Sequence, residues 1–391
     1  MRTCFLFGSG ISVPAGYPSV GKITEMVLCG KEQKAEHESE VSSEETLAFT
    51  RWLKTIADAH YVRAEGRFVN YEDIFFLASQ IQDDYLYEFE NPALAPFLDK
   101  AVGEFLSGAE NQCASGRERL NELAASVSKH IRCSVKSALT NHEKSMDHLD
   151  FVDKAIADVS AANVCLLTVN HDTLLEDFLH AKEIEFTDGF DKTCNQVGIR
   201  EWKPCLFSEA GVGLRVLKLH GGIDWYRFEP DGAASWTEDY VGIPTSEFSS
   251  GKKDEKGRRH RTVEGDLPMF LIGTFNKMSS YTDPVFLELY YRAFRALQCA
   301  DFLVIVGYGF GDKGINKLIT NWLCRSRDHR VVVVDKDCEC KVRERARGAI
   351  RYKWGDAVIG KQFRHIRCNL KDKENKVSWE AIRNKLPQPL I

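Results

Sequence analysis

Short apolar runs, each the length of one strand and each broken off by a small or polar residue, recur along the chain with helical patterns between them. They are Cys4–Phe7, Val164–Val169, Leu214–Leu219, Met269–Ile272, Phe302–Val306 and Val331–Val334. Runs of this kind read as strands covered on both faces. The helical stretches that separate them include Ser19–Leu28, Thr173–His180, Pro284–Cys299 and Asp312–Cys324. Strand and helix in alternation predict an α/β protein: a Rossmann-like, mostly parallel sheet with helices on both faces.

Between residues 45 and 160 the period changes. Leu120, Leu123, Val127, Ile131 and Val135 recur at helical spacing, and Tyr71–Ile81 and Leu149–Val159 also read as helices. No strand is expected there. Residues 30–44 are polar and charged without an apolar period and read as an exposed connection. The expected organisation is therefore a Rossmann-like domain of residues 1–29 and 160–391 carrying an all-helical inserted domain, 30–159. Residues 228–266 form a long polar excursion, a loop or small subdomain. Trp52, Phe75 and Phe76 in the insert are expected to be mostly core, any remainder serving a subunit interface.

A length of 391 residues suits two domains, and 43% hydrophobic with 28% charged residues is ordinary for a globular protein. The formal net charge of −5 excludes a chain that is basic overall, so any contact with nucleic acid would be local or indirect. The basic stretch Gly251–Arg261 is diluted by Asp254 and Glu255 and reads as a solvated loop. None of the 12 cysteines forms a C-x-x-C pair, so they read as thiols rather than metal ligands. No apolar stretch approaches the roughly 20 residues of a membrane span, and no leader-like segment is evident. A cytoplasmic protein without membrane or metal is the expectation.

Four segments carry candidate chemistry, each at the end of an apolar run. Gly8, Ser9, Gly10 and Ser12 follow the first run, where glycines let a backbone approach a pyrophosphate, although a bare glycine turn is as often structural. Thr168, Asn170 and Asp172 end the second. In an open parallel sheet that position faces ligands, yet Thr173 and Glu176 also fit a capping box. His220, before Gly221 and Gly222, ends the third, and an imidazole there suits proton transfer near neutrality. Gly307, Tyr308, Gly309, Phe310 and Asp312 lead from the fifth into a helix bearing Asn316, a turn able to hold the far side of a dinucleotide. Asp335 ends the last run, where an acidic residue binds ribose hydroxyls or is simply solvated.

In order and placement these segments resemble the sirtuin set: a Gly-Ser-Gly loop, Thr-x-Asn-x-Asp, His-Gly, and a glycine-containing strand-to-helix turn. The resemblance spans residues 1–29 and 160–391. It implies NAD as substrate, held by the early loop, including Gly16, Tyr17 and Pro18, and by Thr168, the Gly307–Asp312 turn, Asn316 and Asp335. Asn170, His220 and Asp172 are its implied catalytic residues. Deacylating sirtuins carry a zinc ribbon of paired cysteines and a Phe-Arg step in the early loop. This chain has neither C-x-x-C pairs nor that step, reading Gly-Tyr-Pro-Ser-Val at 16–20, and no zinc is expected. It is similar instead to the sirtuin-like effectors of bacterial antiphage defence, which hydrolyse NAD, and within them to the sirtuin partner of a HerA-type hexameric ATPase. The implied function is NAD glycohydrolase, in a homo-oligomer; an NAD-dependent deacylase and a regulatory module binding NAD or ADP-ribose are the alternatives.

Overall fold

The computed structural model describes residues 2–30, 44–65, 68–87, 91–105, 114–140, 145–208, 213–233, 239–263, 267–273, 277, 281–372 and 376–386. Most of the expected connection 30–44 lies outside them. The chain forms two compact units: residues 1–17, 139–271 and 280–391, and residues 18–138 with 272–279.

The first unit is built on seven parallel strands: β1 (Thr3–Phe7), β2 (Val164–Thr168), β3 (Phe186–Thr187), β5 (Leu214–Lys218), β9 (Phe302–Val306), β10 (Arg330–Asp335) and β11 (Phe363–Arg367). Their order is β11-β10-β9-β1-β2-β5-β3. Side chains alternate between the faces, as a two-residue period requires. On one face Cys4, Leu6, Cys165, Leu167, Leu217, Leu303, Ile305, Val331 and Val333 share a core with the Pro284–Cys299 and Lys313–Leu323 helices. On the other, Phe5 packs against Phe151 of the Asp150–Val159 helix and Trp379 of the Trp379–Arg383 helix. Phe5 and Phe7 are fully buried, each contributing about 1.5–3 kcal/mol. The sheet is thus Rossmann-like, parallel throughout, and covered by helices on both faces.

Because β1 has β2 on one side and β9 on the other, the strand order reverses at β1, and the crevice outside the carboxyl ends there is where such sheets bind ligands. Register levels those ends: Phe7 pairs with Thr168 and Val306, Thr168 with Lys218, and Val306 with Val334. Gly8, Asn170, His220, Gly307 and Asp335 all follow within two residues.

One expectation needs correction, and the sheets hold elements beyond those expected. Met269–Ile272 is not a strand of the sheet; Phe270 makes one antiparallel bridge to Gly221, and Leu271 N donates to His220 O at 2.9 Å. Phe270 and Leu271 are buried, and Met269 partly so, because the segment crosses beside the loop after β5. The excursion after residue 228 belongs to a second, antiparallel sheet, β4 (Ile199–Glu201), β7 (Tyr240–Pro244), β6 (Tyr226–Pro230) and β8 (His260–Thr262) in spatial order, around Val197, Ile199 and Phe228. β3 and β11 were not anticipated.

The second unit is helical wherever it is described as regular structure, with helices Val20–Cys29, Glu44–Glu65, Tyr71–Tyr85 and Ala95–Phe105 and most of Ala114–Leu139. Asn70 and Asp73 form a capping box on the third, and Tyr71 N donates to Thr24 Oγ1 at 3.1 Å. Phe75 is buried there, whereas Trp52 and Phe76 are half-buried.

Candidate active site

Two polar clusters stand at the carboxyl ends of the strands. In the first, Thr168 Oγ1 accepts from Asn170 N at 3.1 Å and turns the chain after β2. Asn170 Nδ2 then donates to Gly8 O at 3.1 Å and to Ser12 Oγ at 3.0 Å, and Ser12 donates onward to Asp172 Oδ2 at 2.7 Å. Asp172 Oδ1 also caps the next helix, accepting from Leu174 N at 3.1 Å. The capping box expected from Thr173 and Glu176 is replaced by this bond: the Thr173 hydroxyl donates to Asp177, and Glu176 turns to Lys218. Ser12, Asn170 and Asp172 are buried, yet Asn170 Oδ1 has no hydrogen-bond partner among the described residues. A buried acceptor left unmatched costs about 1–3 kcal/mol, which a ligand donor would recover.

The second cluster surrounds His220. Gly221 adopts φ 71°, and a Cβ on it would lie 2.3 Å from Met269 O, so only glycine fits after the histidine. His220 Nε2 lies 3.2 Å from Tyr281 Oη in an aligned hydrogen bond and 3.1 Å from Asp312 Oδ2, a charge pair whenever the imidazole is protonated. Both side chains of that charge pair are almost wholly buried. Asp312 Oδ1 meanwhile caps the Lys313–Leu323 helix, accepting from Gly314 N at 2.7 Å and Ile315 N at 3.0 Å. Burial, reinforced by the Asp312 charge, pushes the Tyr281 phenol well above its ordinary range and keeps it protonated. The two clusters are joined by backbone: Leu219 N donates to Thr168 O at 2.9 Å and Ile223 N to His171 O at 3.0 Å. The His171 ring lies 6.2 Å from that of His220 and 4.7 Å from Phe270.

The glycines divide by what lies over them. A Cβ on Gly8 would meet Tyr308 Cα at 2.6 Å, and one on Gly10 would meet Gly307 Cα at 2.6 Å; Gly10 N donates to Gly307 O at 2.9 Å. These three glycines let two loops pack backbone to backbone. Gly309 and Gly311 have no atom within 4 Å of a Cβ position, so the open face belongs to the later turn. Within that turn Phe310 is fully buried at φ 55°, held by Asn316 Nδ2, which donates to Phe310 O at 2.8 Å and Arg347 O at 2.9 Å. Tyr308 is buried and donates to Asn316 Oδ1 at 3.0 Å. Asp335 is engaged by Arg345 and by Asp337 N at 2.9 Å. Ser9 is exposed, Gly16 closes the early loop at φ 96°, Tyr17 is buried, and Pro18 begins the helical unit.

Sequence reasoning overlooked the charges beneath the first cluster. Lys218 Nζ donates to Asp172 O and, at 2.7 Å, to Glu176 Oε1. Burial raises the Glu176 carboxyl despite Lys218, and raises Asp224 likewise. Burial opposes the charge on Lys218, but Glu176, Asp224 and Asp172 outweigh it and hold the ammonium above its ordinary value. Lys218 on the buried strand Leu-Arg-Val-Leu-Lys was the available signal, because such a charge, once buried, must find a partner. Among the described residues, no group of three or more His, Cys, Asp or Glu is arranged to hold a metal ion.

The chain is similar to solved Sir2 structures. A Sir2 homologue in complex with NAD shares 13% identity, with 98% of this chain and 88% of that one covered, at a TM-score of 0.36. A structure titled for the mechanism and regulation of Sir2 enzymes shares 12%, covering 98% and 93%, at 0.38. A triple mutant of Sir2 homologues with 2′-O-acetyl ADP-ribose shares 11%, covering 100% and 94%, at 0.35. No protein-family model and no curated protein matches the chain.

Proposed function

We propose that this chain is a sirtuin-like NAD glycohydrolase that breaks the nicotinamide–ribose bond and releases nicotinamide and ADP-ribose. The observation that carries the proposal is the pairing of neighbouring strand ends: an orphaned amide oxygen on Asn170 after β2 and a carboxylate-backed imidazole on His220 after β5. The open backbone of Gly309 and Gly311 supports placing the substrate's phosphates along the later turn.

Cleavage develops positive charge on the ribose, as in glycoside hydrolysis. A water attacks the anomeric carbon as nicotinamide departs with the bonding pair. Asn170 cannot take a proton near neutrality, so its free oxygen orients the water or a ribose hydroxyl. His220 accepts the water's proton, and Asp312 stabilises the imidazolium that results. Asp172, fixed by Ser12, holds the Asn170 turn and offers its charge to the developing cation.

The sequence resemblance extends the proposal to antiphage defence by NAD depletion, with the chain acting as a homo-oligomer beside a HerA-type hexameric ATPase, and to catalysis by residues 1–29 and 160–391. The test is NAD supplied with no peptide, then with an acyl-lysine peptide, with and without the ATPase. The proposal expects ADP-ribose in the absence of peptide; turnover only when peptide is present would make the chain a deacylase instead.

A further inference from the structure

Among the described residues, two thiol pairs lie in opposite surroundings. Cys4 and Cys165 meet in register across β1 and β2, both buried; the bond to Cys165, together with burial, holds the Cys4 thiol well above its ordinary range. Sulfurs so placed are inert. Cys338 and Cys340 lie just after β10, Sγ to Sγ 2.8 Å, with Cys338 half-buried and Cys340 exposed.

The turn that carries the second pair is fixed on both sides. Asp335 Oδ1 accepts from Asp337 N at 2.9 Å, Arg345 forks onto Asp335 and Asp337, and Trp354 Nε1 donates to Glu339 Oε1 at 2.9 Å between the two cysteines. Closing a bond between groups already held together forfeits little further freedom. We infer that Cys338 and Cys340 are a dithiol–disulfide couple, a modification site oxidised by hydroperoxides and reset by low-molecular-weight thiols. The inference is independent of the proposed NAD chemistry.

The contact with Cys340, followed by the Lys341 amide, lowers the Cys338 thiol, while the same contact raises Cys340, so Cys338 ionises first and is the nucleophile. Its thiolate attacks one peroxide oxygen, the O–O bond breaks, and the departing hydroxide takes a proton to leave as water, giving a Cys338 sulfenic acid. Cys340 sulfur then attacks Cys338 sulfur. The S–O bond breaks, the hydroxide leaves with the Cys340 proton as a second water, and the disulfide forms. Two small thiols reduce the bridge and become their own disulfide.

The full chain is treated with hydrogen peroxide, quenched, denatured, alkylated and digested with trypsin. Cleavage after Lys336 and Lys341 isolates Asp337–Lys341, a peptide holding both cysteines and no other. The expected result is that this peptide carries no alkyl group and is two hydrogens lighter than the free dithiol peptide, and that it gains both alkyl groups if dithiothreitol precedes alkylation. Cys340→Ser should leave a sulfenic acid on Cys338 that dimedone traps. The inference is overturned if the peptide keeps both alkyl groups while exposed Cys299 and Cys324 are oxidised, if it gains oxygen without bridging, or if it appears cross-linked to another peptide.

Discussion

Replacing Asp312 by Asn isolates one charge. The Oδ1 acceptor that caps Gly314 and Ile315 survives, since Asn and Asp cap helices about equally, and the side-chain volume hardly changes. What disappears is the negative charge 3.1 Å from His220 Nε2, in a pair of which 3% and 6% of the side-chain surfaces are exposed. At an effective dielectric constant of about 20 this separation corresponds to a Coulomb attraction of about 5 kcal/mol for a protonated imidazole, a ceiling on what Asp312 contributes to the transition state. The expected fall in kcat lies in the range of a lost general base, about 10²- to 10⁴-fold. KM for NAD should change little, and unfolding stability by less than about 1 kcal/mol. Nicotinamide release under saturating NAD, with urea unfolding of the same preparations, reads both quantities. A folded Asp312→Asn variant with wild-type turnover would falsify the argument that this carboxylate serves the histidine.

Gly10→Ala forces a methyl against Gly307 Cα and should lower stability by about 1–3 kcal/mol in urea titration, whereas Gly309→Ala, facing open space, should stay within about 0.5 kcal/mol yet weaken NAD binding by calorimetry. The reverse ranking would show that the early loop, not the later turn, is the open one. Lys218→Met strands Glu176 and should cost about 3–5 kcal/mol, as breaking a buried ion pair does; a neutral effect would mean that the carboxyls below Asp172 are already protonated. His148 donates to Ile11 O at 2.6 Å, and burial holds its pKa below the ordinary value. The fold therefore prefers the neutral ring, so this contribution is complete above about pH 6.5 and is lost as pH falls from there towards the depressed folded value. His148→Gln should flatten thermal stability between pH 7 and pH 5, and an unchanged acid limb would assign the loss to other groups.

The central strands were legible because burial on two faces leaves almost no polar residue in them, as in Phe302–Val306. β11, Phe-Arg-His-Ile-Arg, escaped because an edge strand paired only with β10 keeps its polar side chains in water. Met269–Ile272 misled for the converse reason, since burial without a ladder gives the same apolar run. The four motif segments do converge on neighbouring strand ends, but composition does not distinguish a glycine that admits a ligand from one that admits another loop. Gly8, Gly10 and Gly307 pack on one another, and Gly309 does not. Asn316 and Asp312, grouped with the nucleotide site on sequence, respectively staple the Phe310 turn and stand behind His220. The Asp312 contact reaches His220 from a turn on the far side of β1, a distance no local pattern encodes.

The most direct measurement is nicotinamide released from NAD by the purified chain, by His220→Ala and by Asn170→Ala, each confirmed as folded and each assayed with the ATPase present. The account predicts release by the wild type and a loss of about 10²- to 10⁴-fold in His220→Ala, with Asn170→Ala similarly depleted. Equal release by all three would contradict it.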